Sequence, residues 1–367
     1  MTVLEKLKLK PQILPGMTLG KLLKAIALND FRIDSACYGR LAFLSGLGVL
    51  NSMLGCCETF FNSNEIEKVE LEQGPLFIVG HWRSGTTHLH NLISLDERFS
   101  SPTAYQASFP NHFIYSQVAN FIFNFIAPPK RPMDEVIFSA EAPHEDEFAL
   151  AADSLVSPYL KVLFPVTGPD THTSVDPDDW SLEALFAWKK SMSTFVKKMT
   201  LSEGGRLLFK SPPHMGRIKL LASMYPDAQF IHIVRNPYNV FLSTKKLWRD
   251  SFAYVHLQTP SDELVQEITL DWYEKLFKLF ERDKNLIDSR SIVEVRYEDL
   301  DCQPEQTVAH IYEKLELKNF DLMRDKLARY VQSLENYRKN SYELSVHERE
   351  LVSARWKDNF VRYDYEI

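Results

Sequence analysis

The sequence has few cysteines and no common metal-binding pattern. It has four cysteines, and their positions are Cys37, Cys56, Cys57 and Cys302. They show no framework spacing, so we expect free thiols in a reducing compartment. No H-E-x-x-H motif and no paired Cys/His cluster occurs, which predicts that no metal is bound. The sequence also lacks N-x-[ST] sequons, and residues 1–25 lack the apolar core of a signal peptide. These absences predict a cytoplasmic protein.

The composition is that of an ordinary folded protein, without internal repeats or low-complexity runs. The 367 residues are 45% hydrophobic and 25% charged, and the net charge is −7. This balance argues against a nucleic-acid-binding surface, although a local basic cleft can still attract an anionic ligand. The length suits one large α/β domain or two small ones.

Residues 75–95, PLFIVGHWRSGTTHLHNLISL, predict a buried strand, a tight turn and a helix. Leu76 to Val79 are apolar, as in a central parallel strand. Gly80 and Gly85 bound the turn, and apolar residues recur at helical spacing after it. Such a turn directs backbone N–H groups and the positive end of a helix dipole at one spot, which predicts an anion-binding site.

This turn differs from the P-loop of nucleotide-triphosphate enzymes in one residue. Thr86 stands where G-x-x-x-x-G-K-[ST] has its lysine, which argues against binding of ATP or GTP. Arg83, inside the turn, supplies a positive charge instead. A guanidinium group matches the oxygens of phosphate or sulfate.

Residues 78–89, IVGHWRSGTTHL, resemble the 5′-phosphosulfate loop of sulfotransferases that use 3′-phosphoadenosine-5′-phosphosulfate (PAPS). The alternative is a glycine turn that binds no ligand. The resemblance implies one α/β domain with a mainly parallel central sheet flanked by helices, a fold related to the P-loop kinases. It also implies that the loop binds the cofactor, with Arg83 contributing to catalysis. The implied cofactor-binding residues of the loop are Arg83, Ser84, Gly85, Thr86 and Thr87.

Residues 229–248 form a second motif of the same kind. A strand from Phe230 to Val234 is predicted to end at Arg235, and a helix to begin near Pro237. Ligands bind at the carboxyl ends of strands in open parallel sheets. The motif resembles the 3′-phosphate site of sulfotransferases, which implies that Arg235 and Ser243 bind that phosphate. The alternative is an ordinary surface arginine beside a helix.

A third predicted strand ends at Lys210, before Pro212 and Pro213. The resemblance implies that Lys210 contacts the bridging oxygen and stabilises the departing phosphate. The sequence departs from the cytosolic sulfotransferases two residues later, because Pro212 replaces their catalytic histidine. Another residue must therefore act as the base, and His214 is one candidate.

A stronger candidate for the base lies in residues 142–150, where a histidine and three acids come together. Transfer to a hydroxyl requires a group that accepts its proton. We rank Glu145 first, then His144, then Glu147. The alternative is an acidic first turn that only complements a helix dipole.

Two further segments are candidates for ligand contacts. Arg338 and Lys339 could belong to a late basic loop over the 3′-phosphate, as the resemblance implies, or to a solvated turn. Residues 105–127 are rich in phenylalanine and isoleucine. They predict either core packing or an apolar wall for a hydrophobic acceptor. The residues on one helical face would be Phe113, Val118, Phe121 and Phe125, with Ile122 and Ile126 beside them.

The sequence divides at the first motif. Residues 1–74 are predicted to be helical and to pack on the core or on a membrane surface, and residues 75–367 form the sulfotransferase domain. Leu41 to Cys57 is uncharged, but its 17 residues are at the lower limit for a membrane span and include serines, an asparagine and three glycines. This favours a buried or interfacial helix and leaves peripheral membrane contact open. The predicted activity is transfer of a sulfuryl group from PAPS to a hydroxyl of a hydrophobic small molecule. A small-molecule kinase and a non-catalytic nucleotide-binding protein are the alternatives, and the sequence leaves the oligomeric state open.

Overall fold

The structure, a computed structural model, describes residues 14–117, 140–167, 170–333 and 344–367. Its centre is a parallel sheet with strand order β2-β3-β1-β4-β5. The strands are β1 (Leu76–Val79), β2 (Phe99–Ser100), β3 (Arg206–Lys210), β4 (Gln229–Val234) and β5 (Ile292–Arg296). The predicted α/β class and mainly parallel sheet are therefore confirmed.

Helices precede the sheet, connect its strands and follow it. The helices up to β3 are α1 (Leu19–Ala27), α2 (Tyr38–Glu67), α3 (Thr86–Ile93), α4 (Ala104–Ser108), α5 (Glu147–Ser154), α6 (Tyr159–Leu163), α7 (Asp170–Thr173) and α8 (Leu182–Glu203). The later helices are α9 (Ile218–Met224), α10 (Pro237–Asp250), α11 (Asp262–Asp283), α12 (Tyr297–Cys302), α13 (Pro304–Lys314), α14 (Asp321–Ser333), α15 (Val346–Arg355) and α16 (Lys357–Arg362).

The side chains of β1 alternate between two apolar layers, one on each face of the sheet. All four residues of β1 are fully buried, as a strand covered on both faces requires. Phe77 stacks on Phe209 of β3 and on Phe230 of β4, with ring centroids 5.7 and 5.5 Å apart. Leu76 and Ile78 point into the opposite layer. The central strand is thus held between two neighbours in a fixed register.

The order of strands brings three predicted motifs to one edge of the sheet. β1 lies between β3 and β4, and Ile78 is aligned with Lys210 at the end of β3. Parallel strands place their carboxyl ends together, and the sheet order reverses at β1. The turn after β1, Lys210 and Arg235 therefore share the edge at which α/β proteins bind ligands.

Helix α2 packs against α8 through a buried ion pair. The Lys198 ammonium group contacts the Glu58 carboxylate and the carbonyl oxygen of Pro110, and both charged side chains are buried. Asn51 of α2 donates hydrogen bonds to the carbonyl oxygens of Pro15 and Met17 at 2.8 and 3.0 Å. Polar contacts of this kind attach one side of α2 to the protein.

Candidate active site

The turn after β1 has an unusual backbone conformation. Arg83 has φ +66°, and Gly85 has φ +98° and ψ +8° at the start of α3. An added Cβ at Gly85 would overlap the ring of Tyr297, whose Cε2 would lie 2.9 Å away. Ser84 donates a hydrogen bond from its hydroxyl to the His81 carbonyl oxygen at 2.7 Å. The turn is therefore held by its own contacts and packs tightly on Tyr297, which requires glycine at position 85.

The two motifs with predicted phosphate ligands meet in the structure. Arg83 donates a hydrogen bond from Nε to the hydroxyl of Ser243 at 2.8 Å. Arg235 donates from Nη1 to the carbonyl oxygen of Arg83 at 3.2 Å. Arg83 therefore contacts both Arg235 and Ser243, and the motifs do not predict its contact with Ser243.

The Arg235 guanidinium group packs over the ring of Tyr297. The guanidinium carbon lies 4.2 Å from the centre of the Tyr297 ring, a cation–π contact. The Arg235 Nε atom is buried and has no hydrogen-bond partner among the described residues. This donor, next to Arg83 and the Ser243 hydroxyl, gives a cluster that suits an anionic group.

Lys210 lies on the other side of the turn. Its ammonium nitrogen is 2.6 Å from Oε1 of Glu145 and 3.4 Å from the Thr87 hydroxyl in the first turn of α3. The Lys210 side chain is almost fully buried, whereas 15% of the Glu145 side chain is exposed. The structure thus joins the first-ranked candidate base to the predicted phosphate-stabilising lysine.

Glu145 is held as a carboxylate. Burial by itself would raise the pKa of this carboxyl group, but the charge of Lys210 and hydrogen bonds from Lys210 and Tyr159 bring the pKa below its ordinary value. The Tyr159 hydroxyl donates to Oε2 of Glu145, the oxygen that Lys210 does not contact. A carboxylate in this state can accept a proton.

The two acids that follow Glu145 make structural contacts. His214 Nε2 lies 2.5 Å from Oδ2 of Asp146, and both side chains are fully buried. Arg217 donates two hydrogen bonds to the buried Glu147 carboxylate, at 2.6 and 3.0 Å. Three consecutive acids therefore pair with three successive basic residues, of which the first ends β3 and the other two follow it. These pairs fix the start of α5 against the end of β3.

These contacts bear on the order of candidate bases. The buried pairs occupy His214 and Glu147, whereas Glu145 remains partly exposed beside Lys210. The ring of His144 packs on Phe148, with ring centroids 4.7 Å apart, and its backbone N–H donates to the Pro102 carbonyl oxygen at 2.8 Å. The geometry favours Glu145 over the other three residues.

Some predicted residues fall outside the part of the chain that the structure describes. They are Arg338 and Lys339 of the late basic loop and, from the apolar segment, Val118, Phe121, Ile122, Phe125 and Ile126. Phe113 is described and is buried against Phe195 and Lys198, so it contributes to the core. Its burial agrees with core packing, one of the two alternatives for this segment.

The site also contains three residues whose roles no sequence motif predicts, and these are Tyr159, Trp82 and Arg217. Trp82 lies within the predicted loop, but the motif assigns it no role. Tyr159 and Arg217 contact Glu145 and Glu147 from positions that no motif marks. These residues can be recognised only from their contacts with the acidic residues in the folded protein.

The chain matches a known protein family. A family profile described as "Sulfotransferase family" matches residues 75–322. The chain belongs to the sulfotransferase family. The match begins at β1 and covers the glycine turn, Lys210, Arg235 and Ser243. This protein is therefore a sulfotransferase, and both the kinase and the non-catalytic alternatives are set aside.

Mycobacterial sulfotransferases are among the proteins that this chain resembles. The chain is 31% identical over 351 residues to the omega-hydroxy-beta-dihydromenaquinone-9 sulfotransferase Stf3 of Mycobacterium bovis, and the match covers 96% of this chain and 90% of Stf3. The Mycobacterium tuberculosis Stf3 matches equally well. Sulfotransferase STF1 of M. tuberculosis is 20% identical and has a TM-score of 0.67, covering 93% of this chain and 91% of STF1. STF9 of Mycobacterium avium is 17% identical with a TM-score of 0.64, covering 96% and 98%. These two structures share the fold of this sulfotransferase.

Proposed function

We propose that this sulfotransferase takes its sulfuryl group from PAPS and transfers it in line to a hydroxyl of an apolar acceptor. The observation that carries the proposal is the arrangement around the glycine turn. A phosphate-binding cluster of Arg83, Arg235 and Ser243 lies on one side, and the Lys210–Glu145 pair lies on the other. PAPS carries a 3′-phosphate and a 5′-phosphosulfate, and Arg235 and Lys210 offer one cation on each side of the turn.

The described residues fit this co-substrate. The Tyr297 ring packs against the turn where a side chain at position 85 would lie, and α3 directs its amino end at the turn. The buried Nε of Arg235 is a donor suited to the 3′-phosphate. Arg83 and the N–H groups from Ser84 to Thr87 would hold the 5′-phosphosulfate. Arg83 also contacts Ser243, so it lies between the donors for the two ends of the co-substrate.

The chemistry follows from the Lys210–Glu145 pair. The acceptor oxygen forms a bond to sulfur while the bond between sulfur and the bridging phosphate oxygen breaks. Glu145 accepts the hydroxyl proton, and Lys210 stabilises the negative charge on the departing phosphate. The products are the sulfate ester and 3′-phosphoadenosine-5′-phosphate. Positioning and electrostatics supply most of the rate enhancement.

Binding of 3′-phosphoadenosine-5′-phosphate, measured by calorimetry, tests the co-substrate. We expect micromolar-range binding and little binding of ATP with Mg²⁺. Arg235→Ala should weaken binding by about 1.5–3 kcal/mol, the scale of a hydrogen bond between charged groups. Arg249→Ala is the control, because Arg249 is an exposed arginine of α10, the helix that follows Arg235, and pairs with Asp250. Tight ATP binding without a response to the 3′-phosphate would contradict the proposal.

The base is tested by replacing the two leading candidates. Glu145→Gln keeps the shape of the side chain but removes the proton acceptor, so we expect the transfer rate to fall about 100-fold or more while the bisphosphate still binds. His144→Asn should retain most activity. If Glu145→Gln retains activity and His144→Asn loses it, His144 is the base.

The proposed acceptor is an alcohol on a lipid-like apolar chain. Support comes from the relative whose name specifies a hydroxylated dihydromenaquinone. A panel of geranylgeraniol, a simple phenol and N-acetylglucosamine tests the class, with radiolabelled PAPS as donor. We expect transfer to the isoprenoid alcohol. Exclusive transfer to the sugar would refute an apolar acceptor.

We also propose that α2 contacts the surface of a bilayer, which is where such acceptors dissolve. Between residues 41 and 64 the sole charged residue is Glu58, which is buried against Lys198. The exposed side of α2 carries Val49, Leu50, Met53, Phe60 and Phe61.

An uncharged apolar face with aromatic residues suits the interface between lipid and water. By length and composition α2 could also cross a membrane, but its buried ion pair with α8 favours contact along the surface. The proposal therefore describes a cytoplasmic protein that associates peripherally with a membrane.

Co-sedimentation with phosphatidylcholine–phosphatidylglycerol vesicles tests this contact. We expect the wild-type protein to sediment with the vesicles and the double variant Met53→Ser, Phe60→Ser to remain in the supernatant. The matched control is Leu322→Ser, Val346→Ser, because these two side chains are as exposed and lie outside α2. Equal loss in both double variants would exclude a specific role of α2.

A further inference from the structure

A chain of hydrogen bonds links the glycine turn to the Glu145 carboxylate. Trp82, inside the turn, donates from Nε1 to the hydroxyl oxygen of Tyr159 at 3.1 Å. The Tyr159 hydroxyl in turn donates to Oε2 of Glu145. Trp82 and Tyr159 are 5% and 2% exposed, so water has little access to compete for these bonds.

The chemistry of the three groups determines the direction of this chain. An indole N–H can only donate, and a carboxylate can only accept. The Tyr159 hydroxyl must therefore accept from Trp82 and direct its own hydrogen at Glu145. No other hydrogen position satisfies both neighbours.

Ring packing fixes the two aromatic side chains that form the chain. Trp82 stacks on Trp272, with ring centroids 4.9 Å apart, and the ring of Tyr159 lies 4.9 Å from that of Phe148. Phe148 belongs to α5, the helix that follows Glu145. The tyrosine hydroxyl is thus held in place relative to both the turn and α5.

Both carboxylate oxygens of Glu145 accept hydrogen bonds from described residues. Lys210 contacts Oε1 at 2.6 Å, and Tyr159 contacts Oε2. A carboxylate has about four lone-pair positions, so acceptor positions remain for a substrate hydroxyl. One contact on each oxygen fixes the plane of the carboxylate and leaves it able to accept a proton.

We infer that Tyr159 is a positioning residue, held by Trp82, that orients the Glu145 carboxylate for proton transfer from the acceptor. The inference rests on the proposed function, in which Glu145 is the base. It assigns to the glycine turn a second role besides binding the phosphosulfate, because Trp82 connects the turn to the base.

A change in the pH dependence of transfer would distinguish positioning from mere support of the fold. The titratable and charged groups that face Glu145 are Lys210, Tyr159 and His144, and Glu147 lies near the Tyr159 hydroxyl. The Tyr159 hydrogen bond favours the charged form of Glu145. Its loss must therefore raise the pKa of Glu145 and move the acid limb of the rate profile to higher pH.

The test is Tyr159→Phe in the full chain, with radiolabelled PAPS and geranylgeraniol. We expect kcat to fall about 10- to 100-fold, the effect of one hydrogen bond to a charged group, with KM for PAPS unchanged. The acid limb should shift upward. Trp82→Phe should shift it in the same direction by less, and it serves as a second variant if Tyr159→Phe does not fold.

Tyr312→Phe is the matched control. Tyr312 is also a buried tyrosine whose hydroxyl donates to a carboxylate, Asp96, at 2.6 Å, but it lies away from the Lys210–Glu145 pair. Its activity and pH profile should equal those of the wild type. If Tyr159→Phe behaves like Tyr312→Phe, or loses rate without a shift of the acid limb, the positioning role is wrong.

The same experiments separate this inference from the proposed function. A wild-type protein that neither binds 3′-phosphoadenosine-5′-phosphate nor transfers sulfate would contradict the proposed co-substrate. A wild-type protein that transfers sulfate with Glu145 as base, beside a fully active Tyr159→Phe variant, would overturn the inference alone.

Discussion

Replacement of Gly85 by alanine should damage ligand binding through a residue that is distant in sequence. Gly85 has φ +98°, a left-handed conformation that costs an alanine about 1–2 kcal/mol. The added Cβ would also overlap the Tyr297 ring, which must then move. That ring supports Arg235 at 4.2 Å, a contact of about 0.5–2 kcal/mol. Together these effects predict a loss of about 2–4 kcal/mol of unfolding free energy.

The effect on binding follows from the displacement of Arg235. If Arg235 moves away from the proposed 3′-phosphate position, the variant loses a hydrogen bond between charged groups, and binding weakens by about 1.5–3 kcal/mol. We expect 3′-phosphoadenosine-5′-phosphate to bind Gly85→Ala about 10- to 100-fold more weakly than the wild type. Calorimetry below the unfolding temperature measures this difference directly.

Gly204 provides the control for backbone strain. It has φ +67° and ψ −167°, a conformation that costs other residues of order 1–3 kcal/mol. An added Cβ at Gly204 meets no atom within 4 Å. Gly204→Ala should therefore lower stability but leave ligand binding unchanged.

Tyr297→Ala should remove the ring that a Cβ at position 85 would overlap. In that background, adding Gly85→Ala should lower stability only by the cost of the left-handed backbone conformation. Wild-type binding by Gly85→Ala would refute the reasoning.

Two further predictions concern buried charges. Arg217→Met leaves the Glu147 carboxylate buried without its guanidinium partner. The free energy of unfolding, measured with urea, should therefore fall by about 3–5 kcal/mol. Arg290→Met is the control and should change this free energy little, because the pair of Arg290 with Asp288 is exposed. Burial lowers the pKa of His81 to about 4, and an unfolded histidine titrates near 6.5. Between these values the unfolded state binds the extra proton, so His81 should contribute a fall in stability of about 2 kcal/mol from pH 7 to pH 5, in addition to the contributions of His90 and His112, whose pKa values burial also lowers. His81→Asn should reduce the slope by the His81 contribution, and an unchanged slope would contradict the assignment.

The local parts of the site could be predicted from the sequence because each is encoded in one continuous motif. The strand at Leu76–Val79, the helix from Thr86 and the helix from Pro237 all occur as expected. The apolar run and the glycine turn determine the first two. Proline at the first helical position indicates the third. Parallel pairing then brings the strand ends together without further information.

The pairing of side chains across the chain could not be predicted in the same way. Glu145 and Lys210 are far apart in sequence, and no spacing rule relates them. The three consecutive acids look alike in sequence, yet only Glu145 is partly exposed. The other two meet His214 and Arg217, which follow a proline-interrupted turn of the chain. That turn decides which acid faces each basic residue, and it is visible only in the fold.

The contact between Lys210 and Glu145 relates the two charges that change during transfer. In the protein alone, the two charges offset each other at 2.6 Å. In the proposed reaction, Glu145 gains a proton as the phosphate gains negative charge. Protonation removes the carboxylate charge that held Lys210, so the full charge of Lys210 becomes available to the departing phosphate in the same step. Proton acceptance and leaving-group stabilisation would therefore assist each other through one ion pair. The neutral Glu145→Gln side chain would leave Lys210 free but accept no proton, so it should retain ligand binding and lose transfer.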